Sequence, residues 1–113
     1  MGGKSPTARS LELLREMGYL PQVVEYYHAF SKKRRDLYGC IDIVAAHPKL
    51  GILGVQATSG SNHSARFKKA TECPILYWLQ AGGKVQVWSW SKKKADNKWH
   101  CRIQKVLMGD LNG

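Results

Sequence analysis

The sequence predicts an α/β domain: a mixed central sheet with helices packed on its faces. Two observations carry this expectation. Cys40 to Ala45 and Ile52 to Thr58 are apolar runs bounded by His-Pro, Leu-Gly and Ser-Gly, the pattern of buried strands. Both are apolar enough to be covered on two faces, as central strands of α/β sheets are, and helical patterns precede and follow them. At 113 residues the chain has room for one domain with its own core, with the folded part spanning about residues 7–107.

Along the chain, Thr7 to Met17 reads as the first helix. Leu11, Leu14 and Met17 share one face, Ser5 or Thr7 caps the start and Gly18 supplies the stop. Tyr19 to Phe30, rich in Val, Tyr and Phe, reads as a first strand, and Ser31 to Arg35 as a basic loop. The strand around Asp42 follows. Pro48 and Gly51 then mark a short turn, so the runs on either side are antiparallel neighbours. Ser61 to Glu72 is helical in character, with Ser61 or Asn62 as cap, and Pro74 opens a short helix over Ile75 to Gln80. Lys84 to Ser91 alternates as a strand and pairs with Trp99 to Val106 across a polar loop, Lys92 to Lys98. The order is helix, three strands, two helices, two strands.

The two central runs contain polar residues where apolar ones are expected. A carboxylate on a buried strand costs on the order of 3 kcal/mol or more unless it is paired or faces a metal. Asp42 therefore needs a partner, and Gln56 and Thr58 on the neighbouring strand stand ready. That outlines a divalent-metal site. The plainer alternatives are a salt bridge from Asp42 to Arg35 or Lys68, with Gln56 and Thr58 satisfying backbone groups at a strand end.

Charge is the second signal. Eighteen Lys and Arg against eight Asp and Glu leave a net charge of +10, clustered at Lys32-Lys33-Arg34-Arg35, at Arg66, Lys68 and Lys69, and at Lys92 to Lys94. Such a surface attracts polyanions through counterion release, which favours DNA as partner over simple solubility or anionic lipid. The first two clusters flank the Asp42 and Gln56 strands and are expected to frame one groove, with Lys92 to Lys94 lying apart from it. No apolar stretch approaches the roughly 20 residues of a membrane span, and MGGKSPTARS has no apolar signal-peptide core. Cys40, Cys73 and Cys101 are odd in number and widely spaced, which fits reduced thiols in the cytoplasm. His28, His47, His63 and His100 show no metal-ligand spacing and read as surface or turn residues; Trp78, Trp88, Trp90 and Trp99 read as core and sheet packing.

Four features together resemble the PD-(D/E)XK nuclease superfamily, and within it the small Holliday-junction-resolvase-like and phage-type replication-repair nucleases. They are Glu12 in the first helix, the Gly39-x-x-Asp42 step into the second strand, Gln56-Ala57-Thr58 at the place of the family's (D/E)-x-K, and the basic helix Arg66 to Lys69. The resemblance covers Ser10 to Trp90. It implies a restriction-endonuclease-like mixed sheet, order α-β-β-β-α-α-β-β, and a metal-dependent endonuclease acting on duplex or branched DNA as a homodimer. It also implies Mg²⁺ or Mn²⁺ on Asp42, Gln56 and the Ala57 carbonyl, with Glu12 accepting from a water of the metal. Two positions depart from the pattern. Gln56 replaces a carboxylate, and Thr58 stands where a lysine is expected, so Lys68, Lys69 or Arg66 would have to supply the positive charge. The alternatives are a nuclease fold that binds DNA without cutting it, or a small basic interaction protein of phage or mobile-element origin.

Overall fold

Residues 4–111 are described by a computed structural model, Arg34 through its backbone alone. Helix α1 runs Pro6–Glu16, with Pro6 in its first turn and the Ser5 hydroxyl accepting from the Ala8 N–H at 3.1 Å. Strands β1 (Leu20–Val23), β2 (Tyr26–His28), β3 (Lys33–Arg35), β4 (Ile43–His47) and β5 (Gly51–Ser59) follow. A 3-10 turn at Gly60–Asn62 leads into α2 (His63–Thr71) and the short α3 (Leu76–Gln80). Strands β6 (Lys84–Lys93) and β7 (Lys98–Val106) complete the fold. Five strands form one mixed sheet in the order β1-β4-β5-β6-β7, and β2 pairs with β3 in a separate hairpin. Only β5 and β6 are parallel within the five-stranded sheet, joined through α2 and α3. No helix among the described residues is long and apolar enough to cross a membrane.

The period-two alternation of each strand divides the core into two layers. Leu14 of α1 packs with Ile43, Ala45, Leu53, Val55 and Trp88 on one face of the sheet. Ala70 and Ile75 pack with Ile41, Val85, Val87 and Val106 on the other. Gln56 and Thr58 alternate with Val55 and Ala57 along β5, so they point into the second layer, away from α1.

Several expectations need correction. Tyr19 to Phe30 is not one strand. The chain leaves the sheet at Val24 and Glu25, whose N–H groups both donate to the Asp42 carbonyl, at 2.8 and 3.3 Å, and it resumes as β2. The basic run is not simply a loop, because Lys33–Arg35 forms β3 against β2. Lys92 and Lys93 likewise belong to β6, and the turn closes through Asp96, which accepts from the Lys98 N–H at 3.0 Å, and Asn97 at φ 57°. Since β6 lies directly beside β5 and parallel to it, Lys92 and Lys93 emerge from the same end of the sheet as Gln56 and Thr58, not from a remote one. Asn62 does not cap α2 with its side chain, which donates to Ser59 Oγ instead, at 3.1 Å. Trp99 is exposed rather than core, and the Arg9 guanidinium sits 4.1 Å from its ring centroid.

Candidate metal centre

A tight turn delivers Asp42 to the sheet. Tyr38 and Gly39 both have left-handed backbones, φ 57° and 82°, and the Cys40 N–H closes the turn on the Leu37 carbonyl at 3.2 Å. Positive φ at both central residues is what a type I′ turn requires, and glycine supplies one of them without steric cost. The chain leaves this turn as Ile41 and Asp42, and the Asp42 N–H donates to the Val55 carbonyl at 2.9 Å. The side chain is thereby set on the same side of the sheet as Gln56.

Asp42 is 3% and Gln56 2% exposed. Gln56 Nε2 donates to Asp42 Oδ2 at 2.7 Å, and the Ala57 N–H donates to the same oxygen at 3.1 Å. Asp42 Oδ1 and Gln56 Oε1 are both buried and accept from no donor among the described residues, and the Asp42 and Glu25 carboxyls are close enough to share a proton in a side-chain hydrogen bond. Two such oxygens on hydrogen-bonded neighbours are unusual in a folded interior, where buried acceptors are nearly always satisfied. Around them stand two half-buried carboxylates, Glu25 from the β1–β2 junction and Asp36 just after β3. One ligand oxygen from each of Glu25, Asp36 and Asp42 falls within 4.8 Å of the others. Burial, then the charge of Glu25, and then that of Asp36 and a side-chain hydrogen bond with Glu25, push the Asp42 carboxyl from its ordinary 3.8 up to about 7, against the lowering effect of the Ala57 N–H. Among the described side chains no Lys or Arg forms an ion pair with Asp42, so the plainer alternative, a salt bridge to Arg35 or Lys68, is not what holds it.

The remaining candidates distribute unevenly. Thr58 is buried and lies on the Asp42 side of the sheet, in register with Ser89. Glu12 does not join the group. It is exposed on α1, which covers the opposite face, and pairs with Lys4. Ala57 meets Asp42 through its N–H, the group seen at hydrogen-bond distance. Lys68 and Lys69 are exposed on α2 and Arg66 is half-buried there; Lys69 is close enough to act on the Cys40 thiol. Lys32, Lys33 and Arg35 are exposed on the β2–β3 hairpin, while the Arg34 side chain lies outside the described residues.

Glu25 and Asp36 were not singled out by the sequence. The signal was faint: of eight acidic residues in a chain of net charge +10, three converge on one point, two of them at the ends of a basic segment. His63 also departs from expectation, being buried rather than superficial. Its Nε2 donates to Gln104 Oε1 at 2.7 Å, which leaves Nδ1 to accept from the Ser89 hydroxyl at 2.6 Å. The ring is fully satisfied and ties the start of α2 to β6 and β7.

Comparison of the chain with protein-family models, with curated proteins and with solved structures gave no significant match.

Proposed function

We propose that the chain is a divalent-metal-dependent DNA endonuclease of the PD-(D/E)XK type, related in design to the small Holliday-junction resolvases and working as a homodimer. The observation that carries the proposal is the convergence of the Asp42, Glu25 and Asp36 carboxylates beside the buried Gln56 Oε1, with no donor among the described residues reaching Asp42 Oδ1 or Gln56 Oε1. The mixed sheet, with α2 and α3 crossing between parallel β5 and β6, supports it.

The donor set fits a hard cation. It consists wholly of oxygens, three from carboxylates and one from an amide, and it contains neither a thiolate nor an imidazole. Mg²⁺ and Mn²⁺ favour such ligands. When bound there, either ion supplies the positive charge that polarises a phosphodiester and makes a water acidic enough to attack it. The protein's own residues do the positioning. Gln56 Nε2 and the Ala57 N–H fix Asp42 Oδ2; Asp42 Oδ1 and Gln56 Oε1 would be free to hold the ion, and Glu25 and Asp36 would replace the negative charge that Gln56 lacks. The Thr58 hydroxyl can donate to a phosphate oxygen but brings no charge.

Cleavage of supercoiled plasmid and of branched DNA, with Mg²⁺ or Mn²⁺ against EDTA, tests this. Cutting that needs the ion and is lost in Asp42→Ala is expected. Metal-independent cutting, or cutting by Asp42→Ala at the wild-type rate, would refute it. Thr58 favours a second reading, a DNA-binding module on a nuclease fold that does not cut, since no cation pairs with Asp42 among the described side chains. Salt-sensitive DNA binding with no cleavage in either metal would select that reading.

A further inference from the structure

The β2–β3 hairpin, residues 26–35, stands outside the five-stranded sheet, and its described side chains are exposed. Its sequence, YYHAFSKKRR, holds three aromatic rings besides His28, four cations and no acid. Tyr26 and Tyr27 point to opposite sides of the hairpin and are 57% and 61% exposed. Phe30, in the connecting turn, is 96% exposed. The turn itself is well ordered by local bonds: His28 Nδ1 accepts from the Ser31 N–H at 3.1 Å, and Lys32 takes a left-handed backbone at φ 55°. Folding gains nothing from a phenyl ring held in water at the tip of a built turn. Single exposed aromatics are ordinary, but three on one short hairpin among exposed Lys32, Lys33 and Arg35 are a surface made for a partner. The cations choose the partner. An apolar protein surface would leave them desolvated, whereas a nucleic acid offers phosphates to the cations and base faces to the rings.

The hairpin is also rooted in the candidate metal centre. Glu25 immediately precedes β2 and Asp36 immediately follows β3, so both ends of the arm terminate in carboxylates that approach Asp42. Three residues of strand extend about 10 Å, which puts the aromatic tip a few nucleotides from the metal centre at about 3.4 Å per phosphate. Stacking on a ring requires a base free of its own neighbours, which a paired duplex does not offer.

We propose that the β2–β3 hairpin is a DNA-binding arm that stacks an unpaired base on Phe30, so that the protein selects DNA bearing a single-stranded flap over fully paired duplex. The choice of DNA beside the Asp42 centre rests on the nuclease reading above; the stacking itself does not require cleavage.

The test is fluorescence anisotropy with the full chain in EDTA, comparing a duplex bearing a single-stranded flap with a fully paired duplex of equal length. Phe30→Ala is expected to weaken flap binding by about 5- to 150-fold, the span that base–aromatic stacking gives on alanine substitution, and to change duplex binding less than about twofold. Phe30→Trp should retain flap binding, and 2-aminopurine placed in the flap should be quenched by the wild type but not by Phe30→Ala. Lys33→Ala should weaken both substrates alike. Equal losses on both DNAs with Phe30→Ala, no loss on either, or a change of oligomeric state with no change in binding would overturn the proposal; the last would mean that a second copy of the chain covers the ring. The two readings fail separately. Flap selectivity without cleavage in Mg²⁺ or Mn²⁺ sinks the nuclease and leaves the arm, whereas flap cleavage unaffected by Phe30→Ala sinks the arm and leaves the nuclease.

Discussion

Asp42→Asn removes the charge at the centre of the site while keeping an oxygen to accept from Gln56 Nε2 and the Ala57 N–H. In the unfolded chain this carboxyl ionises near its ordinary 3.8, and in the folded protein near 7. Between those values the folded state holds a proton that the unfolded state has released. The wild type therefore loses stability as pH rises from about 4 to 7, and above 7 carries the full penalty. The carboxyls of Asp42, Glu25 and Asp36 titrate together, so the penalty they share is on the order of a few kcal/mol. In EDTA at pH 8, Asp42→Asn should melt higher than the wild type by several degrees, since about 1 kcal/mol moves a domain of this size by about 4 °C. The difference should shrink steadily as the pH falls and vanish near pH 4. Mg²⁺ or Mn²⁺ should recover the wild type at pH 8 and leave Asp42→Asn where it was, because only an ionised carboxylate gains from the ion. Thermal unfolding followed by circular dichroism across this pH range, with and without metal, is the assay. An Asp42→Asn protein less stable than the wild type at pH 8 in EDTA, or a difference independent of pH, would mean that Asp42 carries no buried charge.

Glu25→Gln with Asp36→Asn should weaken Mn²⁺ binding at least about tenfold by calorimetry while leaving the fold intact, since both side chains are only half-buried. Thr58→Lys should raise the cleavage rate, read on branched DNA under single turnover, because it places a cation on the Asp42 side of the sheet, where none pairs with Asp42 among the described side chains; an unchanged or lower rate means that another residue already supplies that charge. Replacing Lys32, Lys33 and Arg35 together with alanine should flatten the dependence of log K on log salt by up to about 2.7 on duplex DNA, three phosphates at about 0.9 each. Lys49→Ala, in the turn between β4 and β5 at the opposite end of the sheet, should leave the slope unchanged. A larger effect from Lys49 than from the hairpin would place the DNA elsewhere.

The pairing of Asp42 with Gln56 was legible because alternation fixes which side chains share a sheet face, and a Pro/Gly turn fixed the antiparallel register of β4 and β5. The layers were legible for the same reason: Leu14 and Val85 announce their faces by period. Glu25 and Asp36 were not, because a carboxylate's neighbours depend on where a hairpin folds back. Nothing in Val23-Val24-Glu25-Tyr26 marks the point at which two amides turn to the Asp42 carbonyl and carry the chain out of the sheet. Glu12 misled for a related reason. Its position in the first helix could be read, but which face of the sheet that helix covers is set by the packing of Leu14 against Ile43 and Val55, a tertiary choice. His63 escaped because a buried imidazole is satisfied by Ser89 and Gln104, residues 26 and 41 positions away.

We propose that Asp42, Gln56, Glu25 and Asp36 together hold a divalent ion. Anomalous diffraction from crystals soaked in Mn²⁺ tests it most directly. One manganese peak is expected within about 2.0–2.3 Å of an Asp42 carboxylate oxygen, with Gln56 Oε1 and at least one of Glu25 and Asp36 in its coordination sphere. Well-ordered crystals with no manganese at Asp42, or with manganese only at other residues, would contradict it.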